Sequence, residues 1–207
     1  MASDPSGSSE RDPEPPCGPR PGPQAPVRVP LVRLALAFYG VLLLAAFAWA
    51  ALDGRALAWL PPSEVPGAVS AWRALGAGLL AAAIVVLASQ QLSERTRLGA
   101  QLARLLGDAL GPLTLAQCWL LALVSGIAEE AFFRGALQPQ VGFVAASLLF
   151  GAAHFVPRRE LLAWTFFAIA AGFLLGWLFA ATGSLIAPVA AHVGINGVNL
   201  RRLTRGR

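Results

Sequence analysis

Two adjacent carboxylates, Glu129 and Glu130, stand near the end of a long apolar run, and Arg134 follows them. Two later stretches answer them: Phe150-Gly151-Ala152-Ala153-His154 and His192-Val193-Gly194-Ile195-Asn196. The chain has only two histidines, and both fall in these stretches. An ionised side chain at the centre of a bilayer costs roughly 2.5–3.5 kcal/mol on insertion scales, so such residues in apolar spans usually mark function. Carboxylates and imidazoles are also the groups that most often move protons in catalysis. Drawn together inside a membrane, these side chains would make a hydrolytic site.

Spacing suggests roles. Glu130 and Arg134 are four apart, so on a helix they share a face in the favourable Glu-before-Arg order and can neutralise each other. Glu129 sits about 100° round the helix and has no local partner. It is the free carboxylate, able to act as a general base. The bland alternative is that both glutamates cap a helix end. His154, taken alone, reads equally as an interfacial histidine at the end of a span. His192 and Asn196 share a face, and alone they would read as interhelical hydrogen bonding. Three such pieces in one chain make coincidence unattractive. Phe132, Phe133, Phe150 and Phe155 read as packing or lipid-facing groups, and Gly151, Gly172 and Gly176 as sites of close helix contact.

These residues need spans to hold them. Of 207 residues, 56% are hydrophobic and 13% charged, and the mean hydropathy is +0.61; a soluble domain averages about 25% charged residues. The expected fold is an all-α integral membrane protein of about six transmembrane helices, with a disordered Pro-rich N-terminal tail at residues 1–28. The period-2 alternation of barrel strands is absent. A span needs about 20 apolar residues. Pro30 to Leu52 and Ala68 to Gln90 qualify, the first read as a retained helix and not a cleaved signal. Ser93 to Asp108 has leucines at helical spacing and suits an amphipathic surface helix. Residues 29–112 therefore hold two helices and this connection. Residues 113–203 form a four-helix core with spans at Leu113–Gln138, Val141–Val156, Leu161–Ala181 and Ser184–Leu203. Residues 204–207 are a basic tail.

Arginines gather at the N-terminal end, the 2–3 and 4–5 connections and the C-terminus, which places both termini in the cytoplasm. The net charge of +5 suits anionic headgroups, and no nucleic-acid partner is expected. Cys17 and Cys118 show no metal or disulfide spacing. One geometric tension stands out. Glu129 lies about 24 Å into the third span and His154 about 20 Å into the antiparallel fourth. The third span must run on past Arg134, or the fourth must tilt or break near Gly151, for the two to meet.

The ordered set EEAFFR at 129–134, FGAAH at 150–154 and HVGIN at 192–196 resembles the CAAX prenyl protease and bacteriocin-processing family of intramembrane endopeptidases, often called CPBP or Abi proteins. The resemblance covers about residues 113–200. It implies that Glu129 and His154 polarise a water for attack on a peptide carbonyl, that His192 and Asn196 stabilise the oxyanion, and that Glu130 and Arg134 support them. It leaves metal use open. Metal-free catalysis is favoured, because no H-E-x-x-H pairing exists, with Zn2+ on His154, His192 and Glu129 as the alternative.

The expected function is thus an intramembrane endopeptidase, sited in a bacterial cytoplasmic membrane by its Ala-, Arg- and Gly-rich composition. It would act on a membrane-associated protein or peptide. A non-catalytic scaffold or peptide-binding protein of the same fold is the alternative, with a proton-coupled transporter third; no internal repeat is evident.

Overall fold

The structure, a computed structural model, describes residues 31–62 and 68–205; the tail at 1–28, with Cys17, lies outside them. All regular structure among the described residues is helical: α1 (Leu31–Leu52), α2 (Ala71–Arg95), α3 (Arg97–Leu110), α4 (Leu115–Glu130), a π-helical stretch (Ala131–Leu137), α5 (Gln138–Val141), α6 (Phe143–Ala153), a 3-10 turn (Arg159–Leu161), α7 (Leu162–Thr182) and α8 (Ile186–Thr204).

The starts follow from local chemistry. Thr114 and Gln117 form a reciprocal cap on α4: the Gln117 N–H donates to Thr114 Oγ1 at 3.2 Å, and the Thr114 N–H donates to Gln117 Oε1 at 2.9 Å. Thr96 closes α2 and opens α3, and its Oγ1 accepts from the Gly99 N–H at 3.0 Å. The third apolar run was expected to end at Gln138, before Pro139. Instead, helix continues to Val141, giving a 27-residue rod from Leu115. Proline lacks an N–H and its ring crowds the carbonyl four residues back. The turns before Pro139 take up π pairing, in which the Gln138 N–H reaches Phe133 O. Arg55, from the α1–α2 connection, donates to Ala136 O at 3.3 Å.

Among the described residues, four helices are long and apolar enough to cross a membrane: Leu31–Leu52, Ala71–Arg95, Leu115–Val141 and Arg159–Thr182. The expected span at Val141–Val156 is helical only over the 11 residues of α6. That reaches about 16 Å, roughly half the ~30 Å hydrocarbon core. Large apolar side chains face outward along the long helices, among them Leu34, Phe38, Val41, Leu44, Ile84 and Phe166. A bilayer solvates such an exterior at no cost, whereas water would not.

Inside, small residues let backbones approach. A Cβ on Gly126 would stand 2.6 Å from Val193 Cγ2, and one on Gly194 would stand 2.8 Å from Ala82 Cβ. These contacts, with Ser89 Oγ donating to Asn199 Oδ1 at 3.2 Å, run α8 parallel to α2 and antiparallel to α4. α1 lies parallel to α4, through Trp49 on Phe132 and Leu57 on Gly135. The two N-terminal helices are therefore packed into the same bundle as the core. Cys118 is a free, buried thiol, 3.6 Å from Thr204 Oγ1.

Candidate active site

Gly142 resolves the tension between the third and fourth spans. Its φ of 84°, strained for any residue with a Cβ, lets the chain double back directly from α5 into α6. Glu129 lies about 18 Å before Val141, and His154 about 16 Å beyond Phe143, at the helical rise. The outward and return paths are nearly equal, so the two side chains meet at one depth. His154 Nε2 stands 3.6 Å from Glu129 Oε2.

The His154 tautomer follows from its other nitrogen. Nδ1 donates to Phe150 O at 2.8 Å, and a carbonyl can only accept, so in the neutral ring Nε2 carries a lone pair. Glu129 Oε2 is buried and accepts no hydrogen bond from the described residues. Two acceptors therefore face each other across a gap too long for a direct hydrogen bond.

Glu130 is more than the local partner of Arg134 that its spacing suggested. Its Oε1 accepts from Arg134 Nη1 at 3.0 Å and from His192 Nδ1 at 2.7 Å. All three groups are buried. Arg134 Nη2 donates to Gly172 O at 3.0 Å, and its guanidinium lies 4.3 Å over the Phe150 ring. Ser147 Oγ donates to the same Gly172 carbonyl at 3.1 Å. The cluster thus ties α4, α6, α7 and α8 at one level. Gln138, one turn beyond Arg134, repeats the pattern by donating to Gly176 O at 3.2 Å.

His192 and Asn196 face the same cavity but take different partners. Asn196 Nδ2 donates to Ser125 Oγ at 3.1 Å, leaving its second amide hydrogen for another acceptor. The cavity holds about 470 Å³ and is lined by Glu129, His154, His192 and Asn196, with Tyr39, Ser125 and Trp164. The sequence did not mark the last three as site residues, and Trp164 read there only as an interface anchor or core group. Ser125 was legible as the residue one turn before Glu129. Tyr39 and Trp164 carried no signal beyond being polar-edged aromatics in apolar spans.

Among the described residues no three His, Cys, Asp or Glu side chains gather as a metal site. His192 donates through Nδ1 to Glu130, the kind of contact that also orients metal-bound histidines, so this bond by itself does not separate the metal-free reading from the zinc one.

Fold and site together define a helical membrane protein in which Glu129, His154, His192 and Asn196 converge on one cavity. Residues 111–198, which contain all three motifs, match the family described as Type II CAAX prenyl endopeptidase Rce1-like. That segment is similar to the Rce1-like protease family, and it sits among helices long and apolar enough to cross a membrane. A curated relative in Bacillus subtilis (strain 168), described as uncharacterized protein YpbD, is 44% identical over 80 residues. The match takes in 38% of this chain and 41% of the relative, so the chain spans about two fifths of that protein. No solved structure matches the chain.

Proposed function

We propose that the protein is an intramembrane endopeptidase that hydrolyses a peptide bond of a membrane-associated protein or peptide. The observation that carries this reading is the pair of lone-pair acceptors, Glu129 Oε2 and His154 Nε2, facing across 3.6 Å at the cavity wall. A water within about 2.8 Å of both would donate one hydrogen to each and turn its own lone pair toward a substrate carbonyl.

In this mechanism the water oxygen bonds to the carbonyl carbon, and Glu129 takes the proton released. The carbonyl oxygen becomes an oxyanion facing the free Asn196 amide hydrogen and His192 Nε2. His192 already donates through Nδ1, so Nε2 can donate only from the imidazolium. Glu130 beneath it supplies the compensating charge, and Arg134 holds Glu130 in place. Collapse of the tetrahedral species breaks the C–N bond, and the proton held by Glu129 passes to the leaving amine. Water is consumed, and one carboxylic acid and one amine are released.

The arginines at the shared end of α2, α7 and α8 support a cytoplasmic placement of that end, and of both termini, in a bacterial cytoplasmic membrane. The cavity lies toward the same end, between Leu31 and Leu203.

The test is substrate trapping in native membranes. Wild type is compared with Glu129→Gln and His154→Ala by quantitative membrane proteomics, with and without a zinc chelator. Accumulation of the same uncut membrane protein in both variants is the expected result. An identical set of peptide termini in all three would overturn the protease and leave a binding or scaffold role. A chelator that reproduces the variants would replace the metal-free mechanism with a zinc one.

A further inference from the structure

The chain contains one tyrosine. Tyr39 lies in α1, outside the matched segment 111–198. Leu34, Phe38 and Val41 on the same helix are more than half exposed to the surroundings, whereas Tyr39 turns inward and lines the cavity beside Glu129, Ser125 and His154. Its depth is set by contacts further along the chain: Trp49, on α1, meets Phe132 edge-on at 5.8 Å, and Arg55, just beyond α1, donates to Ala136 O. Held there, the phenol shares the cavity wall with the Glu129 carboxylate and the Ser125 hydroxyl.

Little else orients Glu129. His154 faces Oε2 at 3.6 Å, beyond hydrogen-bond reach. Arg134 and His192 are both bonded to Glu130. A general base must point at its water to within a fraction of an ångström, and a carboxylate fixed only by its own chain would not.

We propose that Tyr39 is a positioning residue of the hydrolytic site: its hydroxyl donates to the Glu129 carboxylate and holds it toward His154. The site of the Rce1-like domain is then completed by a helix outside that domain. This inference rests on the protease reading. The proton leaving water still goes to Glu129, and Tyr39 keeps its own throughout.

The experiment uses full-length protein in liposomes and a mixture of internally quenched apolar peptides as the probe. Tyr39→Phe keeps the ring and removes the donor. It is expected to lower kcat about tenfold with KM unchanged, and replacement of Tyr39 by 4-aminophenylalanine, which restores an N–H donor, is expected to recover most of that loss. Full activity in Tyr39→Phe, or no recovery in the amino variant, would overturn the proposal. A second measurement needs no turnover: the rate at which dicyclohexylcarbodiimide, an apolar carboxyl reagent, modifies Glu129, read by mass spectrometry. It should rise several-fold in Tyr39→Phe, and equal rates would overturn the Tyr39–Glu129 contact. If wild type cuts no peptide, the protease reading fails, while the carbodiimide rates still decide that contact.

Discussion

Glu129 and His154, 25 residues apart in the numbering, face each other as acceptors across 3.6 Å because the chain turns back at Gly142 midway between them. Neither group is spent on the other. His154 is fixed through Nδ1 to Phe150 O, and Glu129 Oε2 is left without a described partner. Their relationship is that of two groups waiting on a shared donor.

Glu129→Gln keeps the side-chain shape and removes the proposed base. Cleavage should fall by about 10²–10⁴-fold, the usual contribution of general acid–base catalysis, while thermal unfolding in detergent stays near wild type. Single-turnover cleavage of the trapped substrate is the measurement, and retained turnover would remove Glu129 from the mechanism.

Arg134→Met should behave differently. It leaves Glu130 buried, bonded to His192 alone, and removes the donor to Gly172 O. Breaking one partner of a buried pair costs about 3–5 kcal/mol, so this variant should lose stability before catalysis can be judged. Unfolding midpoints in mixed micelles check it; a wild-type midpoint would show the cluster to be structurally idle.

Gly172→Ala probes the α6–α7 seam that carries His154. A Cβ there would stand 2.6 Å from Ser147 O, so the helices must part. Overpacking of this kind costs about 1–3 kcal/mol, and displacement of α6 should lower activity as well. Gly40→Ala is the control, since nothing lies within 4 Å of its added Cβ. The idea fails if both alanines are equally tolerated.

Ser125→Ala removes the acceptor that orients Asn196. A neutral hydrogen bond contributes about 0.5–1.5 kcal/mol, which corresponds to roughly a two- to tenfold loss of kcat. KM should stay fixed, because in the proposed mechanism the amide serves an oxyanion absent from the ground state. A change in KM alone would move Asn196 from oxyanion stabilisation to substrate binding.

The membrane class of the protein was written in composition. With 13% charged residues, long apolar runs have no stable home in water, and backbone groups in lipid must pair within helices. The motifs were equally local: Glu130–Arg134 and His192–Asn196 are neighbours on any helix of 3.6 residues per turn, and Arg134 does bond Glu130. Pairings between helices were not local. No spacing rule says that His192 bonds Glu130, that Asn196 turns to Ser125, or that Tyr39 reaches the cavity from α1. Those depend on how deep each helix sits beside its neighbours. That depth is set by glycine contacts such as Gly126 on Val193 and Gly172 on Ser147, and by the π stretch that carries the third run past Pro139 to Val141. A sequence fixes which residues share one helix face because that periodicity is intrinsic to the backbone. Which faces meet, and at what height, is decided by packing among helices far apart in the chain.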